Sequence, residues 1–270
     1  MTLPITLSIA GSDSGGGAGI QADLKTFQAF GTFGTTVITA ITAQNTLGVT
    51  AIHPVPAEVI HAQIAAVVSD LRPAAFKSGM LATREVITTV ASAIGEHRLE
   101  NYVLDPVMVA TSGSRLLEQE AEMGIVQELV PLATLVTPNL DEASILVGSP
   151  IRDYAGMRDA AVAIVKLGAS AALIKGGHLE SEEVVDVLFD GHEWREWRRP
   201  KLATTSTHGT GCTLSAAIAA GLAQGRPLSA AVERALDFLQ RALATAPGIG
   251  SGHGPLNHMV APELDGPLIG

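Results

Sequence analysis

Thr204–Ala220 reads Thr-Thr-Ser-Thr-His-Gly-Thr-Gly-Cys-Thr-Leu-Ser-Ala-Ala-Ile-Ala-Ala. Small polar residues and two glycines, Gly209 and Gly211, come first, and from Cys212 onward the residues favour a helix. This order predicts a flexible loop that feeds a helix N-terminus. Such a terminus leaves backbone N–H groups unpaired and carries a partial positive charge. Glycine lets the backbone approach an anion closely. Gly209, Thr210, Gly211 and Cys212 therefore read as an oxyanion or phosphate cradle. Cys212 is the only cysteine in the chain. At the first helical turn its thiol is expected to have a lowered pKa; the plain alternative is a small buried residue filling a gap. A cysteine-phosphatase loop would need arginine where Ile218 stands, and a Walker loop would need lysine after the last glycine, where Cys212 stands.

The chain opens in a similar way. Ile5–Ala10 is a short apolar run that predicts the first strand. It is followed by Gly11-Ser-Asp-Ser-Gly-Gly-Gly-Ala-Gly19, and then Ile20–Phe30 has helical spacing. Strand, glycine loop and helix in succession open a nucleotide-binding unit. A dinucleotide fingerprint can be forced onto Gly17, Gly19 and Ala22, but no acid lies between Asp23 and Glu58 to hold a ribose. A Walker pattern around Lys25-Thr26 fails because Leu24 occupies the glycine position. The loop still makes room for a ligand, because its five glycines exceed what a tight turn needs.

Further along, polar residues follow predicted strands. Thr35–Ala43 is one β-branched strand before Gln44-Asn45-Thr46, and Ala74–Ser78 leads to Gly79-Met80. Tyr102–Asp105 ends on a carboxylate, Leu135–Asn139 ends at Asn139, and Ala171–Ile174 runs into Lys175-Gly-Gly-His178. Helices are expected at Ala57–Asp70, at Thr83–Ile94 with Thr83 as cap, at Tyr154–Leu167 and at Leu228–Ala244. Asn139 and Glu142 fall on one helical turn, either as a capping box or as ligand contacts. Val184–Phe189 and Glu193–Arg198 flank Asp190-Gly191, a hairpin signal. Trp194, Trp197, Arg195, Arg198 and Arg199 read as hairpin surface with partial packing. His253 and His258 lack a zinc spacing.

The expected fold is α/β: three α/β/α layers around a central, mainly parallel sheet, in a single domain spanning residues 1–270. Ligands of such sheets bind outside the carboxyl ends of the strands. Gly11, Gln44, Met80, Asp105, Asn139 and Lys175 all follow predicted strands and should converge on the Gly209–Cys212 loop. A carboxylate pair for Mg²⁺, a lysine and a helix-terminal anion hole together indicate phosphoryl transfer. The formal net charge of −10 argues against a general nucleic-acid partner. One cysteine rules out an intrachain disulfide and suits a reducing cytoplasm. No apolar run reaches membrane-spanning length.

Gly11-Ser-Asp-Ser-Gly-Gly-Gly-Ala-Gly-Ile-Gln-Ala-Asp-Leu-Lys-Thr26 and His208-Gly-Thr-Gly-Cys-Thr-Leu-Ser215 resemble the hydroxymethylpyrimidine/phosphomethylpyrimidine kinases of thiamine biosynthesis, in the ribokinase-like superfamily. The likeness continues through Asp105-Pro-Val-Met108, Thr137–Glu142, Lys175-Gly-Gly-His178 and the Gly-His-Gly-Pro-Leu-Asn-His258 tail, and so covers nearly the whole chain. It implies ATP, Mg²⁺, a pyrimidine substrate phosphorylated twice, and a homodimer. Many sugar kinases of the superfamily carry aspartate where this chain has Cys212. On this reading Cys212, as thiolate, takes the substrate proton beside the Gly209–Cys212 amides. Lys175, with Asn139 and Thr207, contacts ATP, and Asp105 and Glu142 organise Mg²⁺. Gln44 reads the pyrimidine edge, Gly11 and Met80 pack near the ring, and Asp23 and Val107 are lesser pocket candidates. The rivals are a pyridoxal/pyridoxine kinase and a non-catalytic nucleotide or pyrimidine sensor.

Overall fold

The computed structural model describes residues 3–108, 119–177, 179 and 181–262. In chain order its elements begin with β1 (Ile5–Ala10), α1 (Gly19–Ala29), β2 (Phe33–Ile38), β3 (Ala40–Asn45) and β4 (Gly48–Pro54). Next come α2 (Ala57–Asp70), β5 (Ala75–Ser78), α3 (Arg84–His97), β6 (Tyr102–Leu104), α4 (Gln119–Gly124) and β7 (Leu135–Val136). The remainder are α5 (Leu140–Val147), α6 (Tyr154–Lys166), β8 (Ala172–Ile174), β9 (Glu183–Phe189), β10 (Trp194–Pro200), α7 (Thr210–Ala223) and α8 (Leu228–Ala244).

Eight strands form one sheet in the order β10-β9-β8-β7-β6-β5-β1-β2. It is parallel from β2 to β8, and β9 and β10 add an antiparallel edge. Alternate strand residues serve opposite faces. Leu7, Ile9, Phe76, Leu104 and Val136 join a core with Ile60 and Ile64 of α2, Val90 of α3 and Ile164 of α6. Ala75, Val103, Leu135, Leu173 and Leu188 pack with Phe27 of α1, Ile218 of α7 and Phe238 of α8. With both faces covered, the strands read as apolar runs rather than as alternating patterns. This is the expected three-layer arrangement.

Helix α7 lies inside the molecule, with Thr213–Leu222 buried. A helix apolar on every side needs such a place. Its alanines keep it thin, and at Gly221 a side chain would press on Ala231 of α8.

Two expected strands come out differently. The stretch expected as one strand over Thr35–Ala43 breaks at Thr39. The Thr39 hydroxyl donates to the Met80 carbonyl at 2.6 Å, and the Val55 N–H donates to the Thr39 carbonyl at 2.9 Å. These bonds turn the chain out of the main sheet into the separate β3–β4 hairpin. The strand expected to run to Asn139 pairs only at Leu135–Val136, although a parallel bridge between Asn139 and Lys175 carries the pairing to the sheet edge.

Strand order reverses around β1, which has β2 on one side and β5 on the other. Crevices for ligands open at such points, beyond the carboxyl ends of the strands.

Candidate active site

Two helix N-termini meet at Cys212. Helix α7 starts at Thr210, α1 starts at Gly19, and the Gly19 amide favours the charged form of the Cys212 thiol. Glycine permits this approach. Gly209 has φ of +85°, and a β-carbon there would collide with the Gly17 carbonyl. Gly19 has φ of +56°, and one there would collide with the Gly11 carbonyl. Both positions need backbone geometry that other residues resist.

The helices open onto a cleft of about 790 Å³. Gly11, Gln44, Met80 and Val107 line it, and so do Asp105, Asn139, Glu142 and Lys175. Thr207 and the Gly209–Cys212 loop complete the wall. Residues from seven separate stretches of the chain are thus gathered. His178 lies outside the described residues.

The charged centre is compact. Lys175 Nζ lies 3.2 Å from Asp105 Oδ1 and 3.8 Å from Glu142 Oε2. A β-carbon on Gly211 would stand 3.3 Å from Lys175 Nζ and 3.4 Å from Asp105 Oδ2, so the anion loop borders this cluster. The Ser215 hydroxyl, one turn into α7, is 3.4 Å from Asp105 Oδ2. Burial works against the charge of Lys175, but Asp105 and Glu142 outweigh it and raise its pKa. Burial raises the Glu142 carboxyl to about 7, with Lys175 opposing and Asp105 adding to the rise. The capping box is also present. Glu142 N–H donates to Asn139 Oδ1 at 2.9 Å, and Asn139 N–H donates to Glu142 Oε2 at 2.8 Å. The two readings of this pair are compatible, because Oε2 caps the helix while facing Lys175.

Two expectations need correction. Asp23 does not line the cleft. It is fully buried, with Oδ2 accepting from the Ser8 hydroxyl at 2.5 Å and from Lys77 Nζ at 3.2 Å. A carboxylate sealed beneath the sheet cannot reach a pyrimidine. The expected low-pKa thiolate at Cys212 is also absent. Burial raises the thiol to about 12, with Lys77 opposing and Asp23 and Asp105 adding to the rise. Part of the residue surface faces the cleft, where water eases the shift, but its direction leaves a protonated thiol at neutral pH.

Sequence reasoning passed over two other pairs at the cleft. His208 Nε2 lies 2.8 Å from Asp13 Oδ2. Asp13 sits two residues before Gly15, whose amide it accepts at 2.8 Å, and this Asx-turn spacing is a signal the sequence did carry. Arg199, expected as hairpin surface, is largely buried and pairs with Asp186. The other carboxylate oxygen of Asp186 accepts the Gly176 N–H at 3.0 Å, next to Lys175.

The model of the family described as phosphomethylpyrimidine kinase matches residues 13–257. The chain belongs to this family. A hydroxymethylpyrimidine/phosphomethylpyrimidine kinase of Rhizobium meliloti (strain 1021) is 53% identical over 94% of this chain and 96% of its own. The solved phosphomethylpyrimidine kinase of Clostridium difficile 630 superposes with a TM-score of 0.80 at 41% identity, over 88% of this chain and 99% of the other. The ADP complex of Bacillus subtilis pyridoxal kinase gives a TM-score of 0.88 at 39% identity, over 95% and 98% of the two chains. The phosphomethylpyrimidine kinase fold is thus shared with a pyridoxal kinase, and substrate choice must lie in the cleft residues. Among the described residues, no helix is long and apolar enough to cross a membrane.

Proposed function

We propose that this chain, as one kinase domain, moves the terminal phosphoryl group of ATP to the hydroxymethyl oxygen of 4-amino-5-hydroxymethyl-2-methylpyrimidine. It then adds a second phosphoryl group to that monophosphate, serving thiamine biosynthesis. The observation that carries this reading is the Lys175–Asp105–Glu142 cluster against the N-terminus of α7.

In each round an oxygen–phosphorus bond forms to the acceptor, and the bond from the γ-phosphorus to its bridging oxygen breaks. ADP leaves with that electron pair. Charge spreads over the transferring oxygens, so positioning and electrostatic stabilisation do most of the work. The Gly209–Cys212 amides face this charge, and Lys175 offsets the charge of the ATP phosphates. Asn139 and Thr207 line the same nucleotide path. Gln44 reads the heterocycle edge, with Gly11, Met80 and Val107 around the ring. The Cys212 thiol borders the acceptor oxygen. In the first round the hydroxyl proton passes to an oxygen of the transferred phosphoryl group late in a loose transition state, and in the second round the acceptor is a phosphate oxygen with no proton to lose.

Asp105 and Glu142 suit Mg²⁺ by their donor chemistry. Two hard carboxylates share one lysine, and Mg²⁺ typically takes one or two carboxylates plus phosphate oxygens and water. When bound, the metal neutralises charge on the transferred phosphates.

A homodimer is part of this proposal. The β3–β4 hairpin stands outside the main sheet and exposes Ile41, Leu47 and Ile52, apolar side chains that a second copy of the chain could cover. Size-exclusion chromatography with light scattering tests it, and a monomer at micromolar concentration refutes it.

Mass analysis of products from hydroxymethylpyrimidine with Mg-ATP tests the reaction. The expected products are the monophosphate followed by the diphosphate. Side-by-side kcat/KM for hydroxymethylpyrimidine and pyridoxal decides against the pyridoxal rival, and absence of ADP release would leave only a sensor.

A further inference from the structure

We propose that the Asp13–His208 pair is a positioning unit that locks the N-terminal glycine loop to the phosphate loop and orients the Gln44 amide toward the pyrimidine. The proposal rests on the reading that Gln44 contacts the substrate ring.

Asp13 is almost wholly buried, and its carboxylate is saturated. Oδ1 accepts the Gly15 N–H at 2.8 Å, while Oδ2 accepts the Gly17 and Ala18 N–H groups at 2.9 and 2.8 Å. His208 Nε2 is the remaining partner at 2.8 Å. Burial alone would raise the Asp13 carboxyl, but the His208 bond and the Ala18 and Gly15 amides outweigh it and hold the pKa below its ordinary value. A carboxylate accepts only, so His208 Nε2 carries the hydrogen and donates it. His208 immediately precedes Gly209, the cap of α7. Its own N–H donates to the Gly254 carbonyl at 3.2 Å. One side chain therefore ties the loop before α1 to the loop before α7, and the backbone of that residue adds the C-terminal segment.

The same hydrogen settles Gln44. The end of its amide lies 3.4 Å from His208 Nε2. With the amide nitrogen there, two donors would face each other. Turning the amide by half a rotation places Oε1 against His208. The nitrogen then lies 3.3 Å from Thr42 Oγ1, whose hydrogen is already given to the Ser12 carbonyl at 2.9 Å. In that orientation the Nε2 hydrogen, given first to Asp13 Oδ2 at 2.8 Å, reaches Oε1 at 3.4 Å as the long arm of a three-centre bond. Amide oxygen and nitrogen are assigned by such networks rather than by shape. One N–H and one lone pair of Gln44 remain for a ligand. An N–H beside an acceptor complements a ring nitrogen beside an exocyclic amino group, which is the edge of an aminopyrimidine.

The test compares His208→Leu, His208→Gln, Asp13→Asn and Gln44→Leu in the full chain, measuring kcat and the KM of each substrate. His208→Leu is expected to raise the KM for hydroxymethylpyrimidine about tenfold or more, the scale of a lost charge-assisted hydrogen bond. The KM for ATP should stay within about twofold, because uniform loosening of the fold would move both. Glutamine keeps a donor, so His208→Gln should recover most of the loss. Adding His208→Leu to Gln44→Leu should raise the pyrimidine KM little further, since the two act through one contact. Should His208→Leu fail to fold, the nearly isosteric Asp13→Asn is expected to show the same pattern. A folded His208→Leu or Asp13→Asn enzyme with unchanged pyrimidine KM overturns the proposal, as do fully multiplicative effects in the double variant. An unchanged KM in Gln44→Leu alone has a different meaning. It removes Gln44 as the ring reader and takes the orienting role of His208 with it.

Discussion

Two lysine–aspartate pairs in this molecule have the same length and different fates. Lys77 Nζ lies 3.2 Å from Asp23, and Lys175 Nζ lies 3.2 Å from Asp105. The first pair is 0% exposed on both sides, sealed between β5 and α1, with the Ser8 hydroxyl as its companion. The second keeps 17% of the lysine side chain exposed at the cleft and shares it with Glu142. The inner pair is matched one to one and closed to ligands. The outer cluster sets two carboxylates against one lysine, next to unpaired helix-terminal amides. Surplus acid beside a bare anion site suits a divalent cation carried in with phosphate. Exposure and stoichiometry, rather than residue type, separate structural salt bridges from working ones.

Substitutions in the two pairs can break the comparison. Lys77→Met should leave a buried, unpaired carboxylate and cost about 3–5 kcal/mol of stability. Lys77→Met with Asp23→Leu should regain most of that in urea unfolding. A Lys77→Met enzyme as stable as the parent would show that the inner pair is not structural. Lys175→Ala should lower kcat about 10²–10³-fold, the scale of one lost transition-state donor. Its melting temperature should hold, because Glu142 can take up a proton. Equal losses of stability in the two lysine variants would erase the distinction.

Glu142 sharpens the contrast through pH. Its folded pKa of about 7 stands above the ordinary 4.5, so the native state binds its proton more tightly than the unfolded chain does. Its contribution to stability is full below the ordinary value and is lost as pH rises through about 7. Glu142→Gln should flatten that part of the stability profile of the metal-free enzyme, and thermal melts between these pH values would detect an unchanged slope. Cys212→Ser should have the smallest effect. It keeps the amide, and the thiol it replaces is protonated, so turnover should stay within about tenfold. A fall of about 10²–10⁴, the usual worth of a general base, would restore the thiolate role.

Much of the fold was legible. Ala57–Asp70 and Leu228–Ala244 form helices with the expected bounds, because continuous good helix formers with an apolar stripe allow one solution. Thr83 caps α3 as expected, accepting the Val86 N–H at 3.3 Å. The β3–β4 hairpin was not legible. In β3 Ala40 and Thr42 are buried while Ile41 is exposed, and β4 buries none of its residues, so no apolar alternation marks the hairpin, and its separation hangs on the Thr39–Met80 contact across 41 positions. At the site, strand-end residues were found because the parallel sheet has a rule for where ligands bind. Asp23 was misplaced because the motif that carries it, beside the glycine loop, does not say which way its side chain faces.

The sequence alone determined that a parallel sheet carries two glycine loops, each feeding a helix, and that Asp105, Glu142 and Lys175 stand at strand ends or on the first turn beyond. These features are local: backbone freedom, helix propensity and apolar runs act over a few residues. Only the tertiary structure decided which charges are sealed and which are open, that Asp13 meets His208 across 195 positions, and that burial pushes the Cys212 thiol up rather than down. Solvation and charge pairing depend on what the fold brings close, and no spacing along the chain encodes them.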